Sequence, residues 1–230
     1  MKSYALFGVA LALCPCSLFA QARPAAAKSV AAAKAPVTQF DRNLLQNPGA
    51  ETRGKDDKDV RGWAKAEGLS DNEYGSVSGE WDWGLSGCSS CAKYYLRLEF
   101  GSGVHELVTS QTIDVAPSSA QIDKSGVTAS ISAYLGGFLK SATVATISAS
   151  FQDAAGKELG RIETKPYDTS TLPKAQSGST GLTLCEASGT VPVGTRKIVF
   201  TWKATASDDS GDYLGLGDNF SLVLSLPKPQ

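Results

Sequence analysis

Cys88-Ser-Ser-Cys91 is the most chemically suggestive spacing in the chain. Thiols three residues apart can close a short disulfide, form half of a zinc site, or act as a redox pair. A thiol-built zinc site wants two further ligands, and beyond the N-terminal segment the sequence has only Cys185 and a single histidine, His105. A redox pair wants a helix N-terminus to lower a thiol pKa, whereas the pattern that follows, Tyr94 to Phe100, reads as a strand. The spacing therefore predicts one structural disulfide pinning a loop, with Cys88, Cys91 and Cys185 as the candidates and the pairing left open. His105 lies in Gly101-Ser102-Gly103-Val104-His105-Glu106, which reads as a turn. No nucleophile-elbow motif accompanies it, and no pair of acids stands out as glycoside cleavage requires. No enzymatic activity is expected.

The elements that must carry these residues have a period of two. Tyr94, Leu96, Leu98 and Phe100 alternate with Tyr95, Arg97 and Glu99, and Val127 to Leu135, Ala145 to Phe151 and Ile198 to Ala204 repeat the pattern. Such strands offer one face to a core and one to water, as antiparallel sheets do. Gly-, Asp- and Pro-containing turns separate them, at Asp123–Gly126, Leu135–Gly137, Asp153–Gly156 and Pro192–Thr195. The expectation is an all-β antiparallel sandwich without helical layers. Trp63 and Trp202 fall on core phases, while Tyr95, Arg97 and Tyr134 fall on wet ones and are candidates to line an exposed sheet. Residues 69–91 and 164–181 break the rhythm and read as long, ligand-facing loops.

The chain has 230 residues, 42% of them hydrophobic, and a formal net charge of −1, which leaves no basic footprint for nucleic acid. Residues 1–22 read as a signal peptide: Lys2, an apolar run from Tyr4 to Phe19, then small residues at Ala20 and Ala22. A lipoprotein cut before Cys14 is the rival, with Leu13 a poor fit to it. Residues 23–40, rich in Ala, Lys and Pro, read as a linker lacking core-forming side chains. Residues 41–228 are then a single domain, secreted to an extracellular or periplasmic space, with no membrane span expected.

The order of four short segments resembles the galactose-binding-like jelly rolls that include many secreted bacterial carbohydrate-binding modules. These are Asn43-Leu44-Leu45 through Asn47-Pro48-Gly49-Ala50-Glu51 with Gly62-Trp63, then Thr109 to Val115, Val191 to Arg196, and Gly217 to Leu222. The resemblance implies that the first segment is an opening strand and that the last two segments are the closing strands. It also implies a structural Ca²⁺ between Glu51 and Asp218, where carboxylate and carbonyl oxygens suit a hard ion of flexible geometry. The plain alternative is that both acids bond turn amides without a metal.

Trp81 and Trp83, two apart in a polar stretch, would project to one side if extended, and flat rings suit the apolar faces of sugars. They are the leading candidates for a glycan platform, against the alternative of a lid folded on the core. The functional expectation is a non-catalytic, lectin-like carbohydrate-binding module with a polysaccharide or glycan ligand. Its alternatives are an extracellular adhesion protein that binds a protein partner, and a small hydrolase.

Overall fold

The computed structural model describes residues 38–75, 88, 90–137, 143–168, 181–206 and 214–228. Among the described residues ten strands form two sheets. One holds β1 (Leu69–Glu73), β2 (Tyr94–Glu99), β10 (Leu214–Ser225), β4 (Thr128–Gly137) and β8 (Gly181–Thr190), in that order. The other runs β3 (Glu106–Asp114), β9 (Lys197–Ala206), β5 (Thr143–Gln152) and β6 (Glu158–Glu163), and the short β7 (Tyr167–Asp168) also pairs with β5. Every named strand pairing is antiparallel. The expected all-β sandwich is the observed fold. Among the described residues no helix is long and apolar enough to cross a membrane.

The core follows from the period-two pattern. Leu96, Leu98, Ile131, Leu135 and Leu222 of the first sheet face Ala145, Ile147, Phe151, Ile198, Phe200 and Trp202 of the second, all completely or almost completely buried. Phe220 is its aromatic hub, with ring centroids 4.9 Å from Trp63, 5.2 Å from Trp202 and 6.2 Å from Phe200. Edge-on and tilted packing of this kind adds to the burial energy of each ring.

β10 changes phase halfway. Asp218 pairs with Tyr134 and Ser221 with Ser132, so Asn219 and Phe220 together oppose Ala133, a β-bulge. Asn219 takes a left-handed φ of 48° there. Before the bulge Gly215 and Gly217 face the core, where a Cβ on Gly217 would collide with Phe220. After it Phe220, Leu222 and Leu224 do. Leu214, Leu216 and Asp218 are thereby turned to the outer face.

Four expectations about elements need correction. The segment from Asn43 is not a strand; it touches β10 through single bridges, Phe40 to Leu224 and Asn43 to Val223. Asn43 holds it by side chain instead, donating Nδ2 to Phe220 O (2.8 Å) and accepting from Leu222 N at Oδ1 (3.1 Å). Residues 69–73, expected in a loop, form edge strand β1, whose inward positions are Leu69 and the charged Asp71 and so hide the alternation. Val191–Arg196, which the resemblance implied to be a closing strand, is instead the turn that Pro192–Thr195 was expected to make, joining β8 to β9 and anchored by the Arg196 fork on Asp123 (2.7 and 3.0 Å). Leu135–Gly137, expected as a turn, is the end of β4. Phe40 is a buried core residue.

Candidate functional site

Residue types in the opening segment set the local geometry by hydrogen bonding. Asn47, at a left-handed φ of 47°, donates Nδ2 to Thr52 O and Arg61 O and accepts from Thr52 N. Trp63 Nε1 donates to Asn47 O at 3.2 Å. The buried amide of Gln111 on β3 bridges the backbone of Gln46, accepting from its N–H (2.9 Å) and donating to its carbonyl (2.8 Å). These bonds tie the segment to β3, and Glu51 reaches the start of β2. Its Oε1 accepts from Lys93 N (2.9 Å) and Tyr94 N (2.8 Å).

Asp218 is fully buried on the outer side of the β10 bulge. Its Oδ2 accepts from the Tyr74 hydroxyl (2.7 Å), and its Oδ1 accepts from Asn219 N (2.6 Å). Loss of water pushes its carboxyl from the ordinary 3.8 up to about 6; the Tyr74 and Asn219 donors oppose that, and the charge of Glu51 adds to it. Tyr74 is itself raised, first by burial and then by Asp218. Glu51 and Asp218 would supply two of the roughly six to eight oxygen ligands that Ca²⁺ takes. The alternative is partly visible too, because Glu51 does bond backbone amides, though those of β2 rather than of its own turn.

Above Asp218 lies the Cys88–Cys91 disulfide, which settles the pairing and leaves Cys185 as a buried free thiol raised to about 11 by desolvation. The two Sγ atoms and a carboxylate oxygen of Asp218 lie within 4.8 Å of one another. Asn219 Nδ2 faces both sulfurs at 3.7 and 3.8 Å and Ser90 Oγ at 3.2 Å.

The outer face of the first sheet receives the three wet-phase residues. Arg97 stands opposite Leu216, which stands opposite Gly136; Tyr134 is opposite Asp218. Tyr95 is covered rather than exposed, and it packs with Leu182, Leu214 and Leu216, with Tyr74 at 4.9 Å between ring centroids. Burial raises the Tyr95 hydroxyl against the pull of Arg97. Tyr134 is half-buried beside the exposed Leu184. Trp81 and Trp83 lie outside the described residues.

Residue-by-residue reading of the sequence missed a cleft of about 820 Å³ along the β1–β2 edge. The buried Trp63, Leu69 and Phe100 lie at its base, and Asp57, Asp59, Lys65, Ser70, Arg97 and Glu99 line it with polar groups. Arg97 is held by Glu99 (2.9 Å), with Ser70 Oγ at 3.3 Å from its Nε, so its guanidinium is braced in place. Gly68, at φ 72°, closes one wall: its carbonyl accepts Glu99 N at 2.9 Å, and a Cβ there would strike Glu99 O. The sequence signal was the Gly68-Leu69-Ser70 turn-to-strand transition inside an otherwise polar stretch. Nearby, buried Asp71 pairs with Arg53 (2.7 Å), and burial lifts its carboxyl despite that partner.

No protein-family description matches the sequence, and no curated protein is similar to it in sequence. Solved structures share the fold. A cyclase from Fischerella sp. TAU superposes with a TM-score of 0.50 at 9% identity, over 80% of this chain and 97% of that one. TmCBM61, solved in complex with β-1,4-galactotriose, matches at 16% identity and a TM-score of 0.45, over 79% of this chain and 97% of its own. The enzymatically active domain of bacteriophage CBA120 tailspike protein 4 matches at 12% identity and 0.43, over 79% of this chain. The present chain spans only 21% of the tailspike's length. The solved structures of similar fold include carbohydrate-binding modules and enzymes alike.

Proposed function

We propose that the chain is a secreted, non-catalytic carbohydrate-binding module whose glycan enters the cleft beside Arg97. The observation that carries this reading is the make-up of that cleft. Sugars present apolar C–H faces ringed by hydroxyls, and the cleft sets a Trp63–Leu69–Phe100 base among braced charged and hydroxyl side chains. Its volume of about 820 Å³ lies within the range of roughly 300–1,000 Å³ typical of ligand pockets. Arg97 and Glu99 would share the donor and acceptor roles toward vicinal hydroxyls, since each already fixes the other's orientation. Tyr134 on the adjoining face, and Trp81 and Trp83, would extend the platform for a longer chain. A Ca²⁺ held by Glu51 and Asp218 would be structural, tying the first loop to the last strand. The disulfide is in keeping with export to an oxidising compartment.

A glycan-array screen of the protein, followed by retention on the immobilised hit, tests this. Arg97→Ala is expected to weaken retention about tenfold or more, the loss of one to two charge-assisted hydrogen bonds, with the melt unchanged. Trp81→Ala and Trp83→Ala report on the extended platform. Wild-type retention in all three variants, or no glycan retained by the parent, would end the reading. Turnover on an ester or glycoside panel, lost in His105→Ala, would replace it with a hydrolase.

A further inference from the structure

The corner where the Cys88–Cys91 strap meets the β10 bulge has the parts of a second, softer metal site. Among the described residues it is the one place where three Cys, His, Asp or Glu ligand atoms come within 4.8 Å of one another. The sequence offered the two thiols without further ligands nearby. The bulge supplies one by turning Asp218 outward, underneath them. As a disulfide the sulfurs are neutral and serve a hard or soft cation poorly, because the thiolate is the ligand.

We propose that reduction of the Cys88–Cys91 disulfide turns this corner into a binding site for one thiophilic divalent cation of the zinc type, held by Cys88, Cys91 and Asp218. A dithiol reductant breaks the S–S bond by thiolate attack and exchange. Two electrons pass to the strap, each sulfur gains a proton, and the reductant leaves as its own disulfide. The metal then displaces both thiol protons to solvent and takes two thiolates and one carboxylate, with its fourth tetrahedral position left to water. Zn–S near 2.3 Å and Zn–O near 2.0–2.2 Å require donor atoms about 3.5–3.8 Å apart. The two sulfurs must therefore separate once their bond is broken, while an Asp218 oxygen already lies within 4.8 Å of both. Donors around the ligands are already in place: Tyr74 orients the Asp218 carboxylate, and Asn219 Nδ2 faces both sulfurs. Disulfide and metal exclude one another, so the strap is a redox gate on metal binding. The site shares Asp218 with the calcium reading but not Glu51, and it does not depend on glycan binding.

The experiment uses the full chain carrying Cys14→Ser, Cys16→Ser and Cys185→Ala, so that only the strap titrates. Oxidised protein, and protein reduced with a dithiol and then freed of it without air, are each titrated with Cd²⁺ by thiolate charge-transfer absorption and with Zn²⁺ by calorimetry. Excess calcium is present throughout. The reduced form is expected to bind one equivalent at least about 100-fold more tightly than the oxidised form. Cys88→Ser and Cys91→Ser should each remove most of the charge-transfer signal. Asp218→Asn should weaken binding about 10–100-fold while keeping the signal, and Glu51→Gln should leave it within about twofold. Equal affinity in the two redox states overturns the proposal, as does wild-type affinity in Asp218→Asn. If Asp218→Asn does not fold, the cysteine variants and the redox comparison still decide it.

Discussion

The Tyr74 hydroxyl donates to Asp218 Oδ2 across 2.7 Å, joining the residue that follows edge strand β1 to the bulge of β10. That bond is the main compensation for a carboxyl with no exposure to water. It is only partial, since burial and Glu51 still lift the group from 3.8 to about 6.

The sign of the pH dependence follows. With chelator present, folded Asp218 keeps a proton between pH values near 6 and 3.8 that the unfolded chain gives up. Stability should therefore increase as pH falls from 7 towards 4, and the gain is lost as pH rises through about 6. Two pH units correspond to at most about 3 kcal/mol. Urea melts of wild type and Asp218→Asn across that range isolate the effect from other carboxyls. A wild-type slope equal to that of the variant would show that Asp218 does not titrate in this way.

Calcium should oppose this penalty directly. A cation between Glu51 and Asp218 neutralises the repulsion, favours the ionised form and flattens the pH slope. At 100 times its dissociation constant the ion would add about 2.7 kcal/mol. Melting with calcium and with chelator measures it, and both Glu51→Gln and Asp218→Asn should lose the response. Identical melts in the two conditions would leave the acids as plain hydrogen-bonding groups.

Where side chains alternate, the sequence announced the fold: β2, β4, β5 and β9 each put small or apolar residues on one phase, and each is a strand. It failed where polar groups do structural work. β1 was hidden because Asp71 occupies an inward position and relies on Arg53 there. The opening segment read as a strand because Asn43 and Asn47 bond backbone groups with their side chains, which no periodicity can report. That Glu51 comes near enough to raise the Asp218 carboxyl was suggested only through resemblance. Tyr74, Asn219 and the disulfide around Asp218 depend on a bulge whose only local trace is an Asp-Asn pair. The cleft depends on tertiary contacts between 57–70 and β2, and of its lining residues Arg97 had been a candidate for an exposed sheet face.

Gly68 tests the cleft wall. At φ 72° a side chain is strained, and here the added Cβ also meets Glu99 O, a backbone atom that cannot swing away. Gly75 has nearly the same φ, 71°, with no neighbour within 4 Å of its Cβ position. Gly75→Ala should then cost about 1 kcal/mol and Gly68→Ala about 2–4 kcal/mol, with the cleft distorted. Denaturant melts of the two variants give the comparison. Equal losses would mean that the β2 end yields and the wall is soft.

Asn43 tests the closure of the chain ends. One amide satisfies Phe220 O through its Nδ2 and Leu222 N through its Oδ1, on either side of Ser221, and its Oδ1 also accepts Leu45 N. Asn43→Ala leaves a carbonyl and two N–H groups in part-buried surroundings, at a cost of about 2–4 kcal/mol. Asn43→Asp keeps the acceptor and loses the donor, setting a carboxylate against Phe220 O. Its loss should therefore shrink as pH falls, because the introduced carboxyl regains an O–H donor once it is protonated. Melts of both variants at neutral and acid pH separate the two roles. If Asn43→Asp were as stable as wild type at neutral pH, the Nδ2 bond to β10 would contribute nothing, leaving the opening segment to Phe40 packing, the Gln111 bridge to Gln46 and backbone bonds such as Asp41 N to Leu224 O and Leu44 N to Leu222 O.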